Sequence, residues 1–320
     1  MEQVYETIAA VLTEVKRAIA GKDDCITKAF AAILAGGHIL IEDVPGVGKT
    51  TLAVAFSKVM GLCNHRVQFT PDVLPSDILG FQMYQKETGQ FVFHPGAVLC
   101  NLFLADEINR TSPKTQSALL EVMEEGTVTV DGQCHPVPQP FLVMATQNPK
   151  GSAGTQLLPE SQLDRFMICM HMGYPDQMSE IAIAQGIKKT QAGELQAVLT
   201  PQELLQMQQQ VKTVYVDEVV CKYIVQLMEA TRDNAYIELG VSPRGTIACV
   251  NLAKAWAFLQ GRMYVLPEDV ADIFLDIATH RIVLNTRARV AHVTAGTVLE
   301  DILSDVAKPA TYKAKGNRRG

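Results

Sequence analysis

The sequence predicts an α/β fold, in which helices cover a parallel sheet and a smaller, all-helical domain follows. Short apolar runs alternate with helix-period segments in the first half, and strand signals fade after about residue 176. Such alternation is typical of parallel sheets built from strand–helix–strand units. The predicted strands are His38–Ile41, Val67–Phe69, Leu102–Ala105, Phe141–Ala145 and Phe166–Met170, with helices Thr50–Met60 and Lys114–Glu125 among them.

Two β-hairpins interrupt this minimal pattern. The first has a turn at Glu87–Gly89, and the second turns at Asp131–Gly132, a strong signal for a two-residue hairpin loop. We expect both hairpins to project from the core. The paired segments are Phe81–Tyr84 with Gln90–Phe93, and Thr127–Val130 with Cys134–Val137.

The second half is dominated by helical patterns. Ser242–Pro243 is typical of a helix start, with a capping hydroxyl followed by proline at the first helical position. We therefore expect a core domain over residues 1–175, a helical domain over 176–309 and a disordered basic tail over 310–320. The predicted helices are Pro201–Val211, Asp217–Arg232, Pro243–Gly261 and Pro267–His280.

Composition argues against several classes of protein. A net charge of −6 gives no general attraction to nucleic acid. No apolar run reaches the roughly 20 residues of a membrane span, and Glu2 and Glu6 are not typical of a secretory signal. The seven cysteines are dispersed without a Cys-x-x-Cys pair, which argues against a disulfide framework or a structural zinc site. We expect a cytoplasmic protein.

A glycine-rich loop joins the first predicted strand to the next helix. Glycines let backbone N–H groups surround a phosphate, and a helix N-terminus adds partial positive charge. Lys49 would reach the β- and γ-phosphates of ATP, and the Thr50 hydroxyl would coordinate Mg²⁺. Asp43 stands where the strict G-x-x-x-x-G-K-[ST] pattern has its first glycine. The alternative is an ordinary glycine turn with a surface lysine. The predicted nucleotide-binding residues are Asp43, Pro45, Gly46, Val47, Gly48, Lys49, Thr50 and Thr51.

Two adjacent carboxylates follow the strand Leu102–Ala105. Ligands of open α/β sheets bind at the carboxyl ends of the strands, where Asp106 and Glu107 would lie. Asp106 would hold Mg²⁺ through water, and Glu107 would polarise the attacking water. Taken alone, such a pair more often caps the following helix; beside the glycine loop, catalysis is the favoured interpretation.

Three further polar residues are candidates for catalysis. Asn148 ends another strand and could orient the lytic water, with Thr146 as the second choice; the alternative is a plain Asn-Pro turn. Arg165 precedes the last strand. Arg244 lies in the first turn of a helix, where an anion would offset its charge, and the γ-phosphate of bound ATP could be that anion. Either arginine could instead form a surface salt bridge.

Together these segments resemble the MoxR family of AAA+ ATPases, over roughly residues 20–287. The resemblance implies a P-loop AAA+ core with a helical lid, assembled as a ring that is usually hexameric. It also implies that Arg165 reaches the neighbour's γ-phosphate, that Arg244 is the lid's sensor arginine and that Asn148 is the sensor-one residue. The matching segments are Glu42–Thr50, Gln68–Asp77, Leu104–Glu121, Ala145–Pro149, Leu158–Phe166 and Ser242–Arg244.

The resemblance extends to the inserts and to the biological role. The hairpins match the helix-two insert and the pre-sensor hairpin, and such proteins look like chaperone-type remodellers, often working with a von Willebrand factor A domain partner. Ala153–Gln156 departs from the Glu-Gly-Thr-Tyr usual for the family.

The expected function is therefore ATP-driven remodelling of partner protein complexes. A nucleic-acid motor is one alternative, although the hairpin tips, Gln85–Glu87 and Asp131–His135, are poor in basic residues. A small-molecule kinase or a nucleotide-gated binding module is the other.

Overall fold

The computed structural model describes residues 2–19, 21–44, 46–148, 158–185 and 190–309. It divides into a first unit of residues 1–210 and a second unit of residues 211–320. The predicted division at 175/176 rests on the change in composition and stays a prediction. Ala153–Gln156 and the basic tail lie outside the described residues.

The first unit begins with two helices and then alternates strands with helices. Short 3₁₀ turns lie at Ile108–Arg110 and Ala192–Glu194. The elements are α1 (Glu2–Ala18), α2 (Asp23–Leu34), β1 (Ile39–Glu42), α3 (Lys49–Val59), β2 (Asn64–Gln68), α4 (Pro75–Leu79), β3 (Gly80–Gln85), β4 (Gln90–Pro95), β5 (Leu102–Asp106), α5 (Pro113–Glu125), β6 (Thr127–Val130), β7 (Gln133–Pro136), β8 (Leu142–Gln147), α6 (Glu160–Leu163), β9 (Ile168–Met170), α7 (Gln177–Ala184) and α8 (Pro201–Lys212).

Five of these strands form one parallel sheet in the order β2–β5–β8–β1–β9. β5 and β8 are buried along their whole length, as central strands covered on both faces are. β2 lies at the edge and is largely exposed. The predicted α/β class and all five strands are confirmed. β2 begins three residues before the predicted Val67 and ends before Phe69.

The core of the first unit lies between the sheet and its helices. Phe103 of β5, Leu119 of α5 and Phe166 are fully buried within it, together with Val98 and Ile108. Burying a large aliphatic or aromatic side chain stabilises a fold by about 1.5–3 kcal/mol. This packing sets the position of the strand ends that carry the site.

Both predicted hairpins form. β3 pairs with β4, and β6 pairs with β7 through a turn in which Asp131 and Gly132 have φ of 49° and 80°. Two successive left-handed residues suit the twist of a two-residue hairpin, which explains the Asp-Gly sequence. The rings of Phe93 and His135 stack with centroids 3.8 Å apart and so connect the two hairpins.

Over residues 211–309, the second unit is helical apart from one short pair of strands that the sequence analysis did not predict. These strands, β10 (Ile237–Leu239) and β11 (Val283–Leu284), are antiparallel. Asp217 and Ser242 cap the two longest helices by accepting hydrogen bonds from backbone N–H groups. The elements are α9 (Glu218–Arg232), β10 (Ile237–Leu239), α10 (Pro243–Leu259), α11 (Pro267–Ala278), β11 (Val283–Leu284), α12 (Thr286–Val290) and α13 (Ala295–Asp305).

No helix in the described part of the chain combines the length and the hydropathy that a membrane crossing requires.

Candidate functional site: a glycine loop beside two carboxylates

The register of the sheet brings the predicted polar residues to one edge. Glu42 at the end of β1 lies opposite Gln147, and Gln68 at the end of β2 lies opposite Asp106. Parallel strands present their carboxyl ends at the same edge, where open α/β sheets bind ligands. The loop after β1 therefore meets Asp106 and Glu107.

The glycine loop has the backbone geometry that its sequence predicts. Gly46 and Gly48 have φ of 87° and 97°, a left-handed region that residues with a side chain rarely adopt. Gly48 caps α3, so the amino end of this 11-residue helix points into the loop. Val47, Thr50 and Thr51 are partly buried. Pro45 lies outside the described residues.

Lys49 lies folded into this loop rather than exposed to solvent. Its side chain is buried, and its Nζ donates a hydrogen bond to the backbone oxygen of Asp43 at 2.7 Å. Burial lowers the pKa of Lys49, while the nearby charges of Asp43, Asp106 and Glu107 act in the opposite direction. An ammonium group held by a carbonyl oxygen inside a glycine loop is positioned to bind an anion. A surface lysine after a glycine turn would not be buried.

The side chain of Asp43 stabilises the start of the loop, at the position where the strict G-x-x-x-x-G-K-[ST] pattern has glycine. One carboxylate oxygen accepts a hydrogen bond from the N–H of Val44 at 2.8 Å, and the other accepts from the N–H of Gly173 at 2.5 Å. The side chain thus anchors the start of the loop to the segment after β9. Its backbone N–H donates to the oxygen of Gln147 at 3.2 Å.

Asp106 is almost buried and accepts hydrogen bonds at both carboxylate oxygens. Oδ1 accepts from the hydroxyl of Thr146 at 2.6 Å. Oδ2 accepts from Nη2 and Nε of Arg66 at 2.7 and 3.2 Å. A buried carboxylate requires such partners, because an unpaired charge is costly in a low-dielectric site.

Glu107 adopts an uncommon backbone conformation. Its φ is 56° and its ψ is 49°, the left-handed region, which costs a non-glycine residue about 1 kcal/mol or more. Its N–H donates to the Thr146 hydroxyl at 2.9 Å, and its carboxylate accepts from Nη1 of Arg110 at 2.6 Å. Thr146 therefore contacts both acidic residues. Strain of this kind concentrates at functional sites, where the surrounding structure imposes it.

These groups line one cleft of about 350 Å³. The donor set fits Mg²⁺, which prefers hard oxygen ligands: the Thr50 hydroxyl and the Asp106 carboxylate both border the cleft. The lining residues are Gly46, Gly48, Lys49, Thr50, Thr51, Arg66, Asp106 and Glu107.

Asn148 follows β8 at the same edge and is partly buried. Its backbone oxygen accepts a hydrogen bond from Nδ2 of Asn109 at 3.3 Å. Asn109 is itself buried, and its Oδ1 has no hydrogen-bond partner within the described structure. Asn148 is thus close to the turn after Glu107, while Thr146 is the residue of β8 that touches the acidic pair. The predicted water-orienting role of Asn148 stays a prediction.

Arg165 lies away from the cleft of its own chain. It precedes β9, at the amino-terminal edge of the sheet, whereas the cleft lies at the carboxyl edge. Its Nη2 forms an ion pair with Glu124 at 3.0 Å, and its Nε is buried without a hydrogen-bond partner in the described residues. The structure therefore does not bring Arg165 to Lys49 and Asp106 within one chain.

Arg244 belongs to the second unit. It is exposed in the first turn of α10, one residue after Pro243, as the sequence predicts for that helix start. Its predicted contact with the γ-phosphate stays a prediction.

Two residues of the site were missed by the sequence analysis. Arg66 lies just before the predicted strand Val67–Phe69, and its partner Asp106 is 40 positions away, so no local pattern connects them. Arg110 does carry a signal, because it lies three positions after Glu107, the spacing at which side chains within a helical turn meet.

Comparisons with known proteins agree with the geometry. Residues 38–168 match the family described as "ATPase family associated with various cellular activities (AAA)", and residues 229–302 match the AAA lid domain. A glycine loop at a helix start beside two strand-end carboxylates, in a chain that also matches the AAA lid domain, is typical of the class of AAA+ ATPases.

Similar proteins narrow the class further. The chain is 42% identical to YeaC of Bacillus subtilis, an uncharacterised protein, over 98% of each chain. It is 38% identical to Chaperone MoxR1 of Mycobacterium tuberculosis over 95% of this chain and 82% of that one. A Cytophaga hutchinsonii protein of known crystal structure superposes with a TM-score of 0.87, at 38% identity over 96% of both chains. The chain belongs to the MoxR family of AAA+ ATPases.

Proposed function

We propose that this chain binds Mg-ATP in the cleft, hydrolyses it and uses the cycle to remodel partner protein complexes. The observation that carries the proposal is the meeting of Lys49, Asp106 and Glu107 around one cleft. A buried ammonium, a glycine loop at a helix start and two carboxylates are the groups that ATP hydrolysis requires. The cytosol is the compartment that the composition favours for this activity.

Each residue has a role that follows from its position. The loop N–H groups and Lys49 bind the phosphates, and Thr50 and Asp106 would hold Mg²⁺, whose charge offsets that of the phosphate oxygens. Glu107 accepts a proton from the attacking water, because it is the carboxylate next to Asp106 that also borders the cleft. Thr146 orients both acidic residues through its hydroxyl.

We propose that assembly into a ring completes the ATPase site. The family resemblance favours a hexamer. Arg165 lies at the sheet edge opposite its own cleft, so a contact with phosphate requires the cleft of a neighbouring copy. An arginine delivered in this way accelerates phosphoryl transfer elsewhere by about 10³–10⁵. Departure from Glu124 would free Arg165 for the neighbour.

A mixing experiment tests this part of the proposal. Arg165→Ala and Glu107→Gln should each abolish turnover while leaving ATP binding intact. When the two inactive proteins are mixed, some interfaces keep both Glu107 and Arg165, so part of the activity should return. Glu107→Gln mixed with Lys49→Ala is the matched control, and it gives the same number of inactive chains. If the mixture of Arg165→Ala with Glu107→Gln regained no more turnover than the control mixture, the proposal that Arg165 acts across an interface would be wrong.

The remodelling role is supported by the similarity to Chaperone MoxR1 and by the two hairpins, of which β3–β4 exposes Phe81, Tyr84 and Phe91. The Glu107→Gln protein should hold ATP without hydrolysing it and so retain its client. We expect a purified partner complex, including a candidate with a von Willebrand factor A domain, to bind this variant with ATP and to be released with ADP. Equal binding in both nucleotides would contradict the remodelling role and leave the ATPase proposal standing.

A further inference from the structure

Arg66 makes a contact that the proposed hydrolysis does not itself require. It lies on the edge strand β2, and its guanidinium donates two hydrogen bonds to a single oxygen, Oδ2 of Asp106. The pair is asymmetric: 12% of the Asp106 side chain is exposed, against 51% of the Arg66 side chain. Arg66 also lines the cleft.

The geometry makes the guanidinium and a metal ion competitors. Oδ1 of Asp106 is already bound by Thr146, which is completely buried. Oδ2 is therefore the oxygen through which Asp106 would contact Mg²⁺ or its water, and Arg66 now binds that oxygen. Two cations at one carboxylate oxygen repel each other, most strongly where solvent is partly excluded.

Arg66 has a second partner to which it can move. Its Nη2 also donates to Oε1 of Gln68 at 3.2 Å, on the same exposed strand. Because the guanidinium is half exposed, leaving Asp106 returns it to water at little cost. The buried carboxylate, in contrast, needs a positive partner at all times.

We propose that Arg66 is a positioning residue that holds Asp106 until magnesium and nucleotide arrive together, and that its guanidinium leaves Oδ2 when Mg²⁺ binds. Arg66 thereby raises the Mg²⁺ concentration that nucleotide binding requires. This inference rests on the proposed binding of Mg-ATP in the cleft.

The test is a Mg²⁺ titration of nucleotide binding by the full chain. A fluorescent, non-hydrolysable ATP analogue is bound at fixed concentration, and anisotropy is followed as Mg²⁺ is added. Arg66→Gln removes the competing charge, so the Mg²⁺ half-saturation should fall by about threefold to tenfold, an order-of-magnitude expectation for removing a nearby like charge. Lys58→Gln removes the same charge from the exposed last turn of α3 and should leave the half-saturation unchanged.

Arg66→Lys serves if the glutamine variant fails to fold. The ammonium keeps the charge but loses the fixed two-donor geometry, so the half-saturation should fall in the same direction by a smaller factor. A folded Arg66 variant whose Mg²⁺ half-saturation is unchanged or higher would overturn the inference. So would a variant that binds nucleotide more weakly at every Mg²⁺ concentration while its half-saturation stays the same. A wild-type protein whose nucleotide binding does not depend on Mg²⁺ would overturn the proposed metal site, and this inference with it.

Discussion

Thr146→Val tests how strongly one buried hydroxyl organises the acidic pair. Valine has nearly the same shape as threonine, so the change removes the hydroxyl without opening a cavity. The hydroxyl is fully buried and bridges Oδ1 of Asp106 at 2.6 Å and the N–H of Glu107 at 2.9 Å. A hydrogen bond to a charged group contributes about 1.5–3 kcal/mol, and a stranded backbone N–H adds about 1 kcal/mol. We expect a loss of about 2–4 kcal/mol in the free energy of unfolding.

The same change should affect turnover more than binding. Glu107 keeps its left-handed backbone partly because its N–H is held by Thr146. Without that contact the carboxylate loses its fixed position, and a displacement of about 1 Å can cost on the order of 10²-fold in rate. The turnover number should fall at least about tenfold, while the affinity for ATP, set mainly by the loop and Lys49, should change by less than about threefold.

Urea denaturation and steady-state turnover measure both effects. Thr129→Val, on the exposed face of β6, makes the same chemical change without removing a buried contact. A loss below about 0.5 kcal/mol in Thr146→Val, together with unchanged turnover, would refute the reasoning.

Three further predictions concern Lys49, Arg110 and His38. Lys49→Ala should weaken ATP binding at least about tenfold, because a charge-assisted contact with phosphate is lost. Titration calorimetry measures the affinity, and an unchanged affinity would mean that the phosphates bind elsewhere. Arg110→Ala should change the free energy of unfolding by less than about 1 kcal/mol, because its ion pair with Glu107 is partly exposed; a loss above about 2 kcal/mol would contradict this. His38 accepts a hydrogen bond from Val143 and contacts the oxygen of Met123, and burial lowers its pKa from 6.5 to about 4.

The sign of the His38 effect follows from proton linkage. Below pH 6.5 the unfolded chain binds a proton that the folded chain excludes, so the stabilisation is complete above pH 6.5 and is lost as the pH falls toward 4. The free energy of unfolding should drop by about 2 kcal/mol between pH 7 and pH 5. His38→Gln should lack this component, and parallel pH profiles for the two proteins would contradict the assignment.

Much of the site could be predicted from the sequence because its chemistry is local. Gly46 to Thr50 is a continuous segment whose backbone geometry depends on its glycines. Asp106 and Glu107 end a fully buried strand, and parallel strands share one ligand-binding edge. Apart from that rule, predicting these residues requires no knowledge of which distant segments of the chain contact each other.

The rest depends on contacts between distant segments. Arg66 lies on an exposed edge strand whose apolar signal covers only Val67–Phe69, and its pairing with Asp106 is set by the register of β2 against β5. β10 and β11 have three and two residues, too few to show a period. The Thr146 bridge arises because β8 lies beside β5, which no sequence pattern reveals.

The central claim is that this chain hydrolyses ATP in a site completed by assembly, and ATP turnover per chain as a function of protein concentration tests it most directly. We expect turnover per chain to rise steeply with concentration and to be absent in Glu107→Gln at every concentration. Turnover that is independent of concentration would contradict completion by a neighbour's Arg165. Turnover that persists in Glu107→Gln would contradict the assigned catalytic carboxylate.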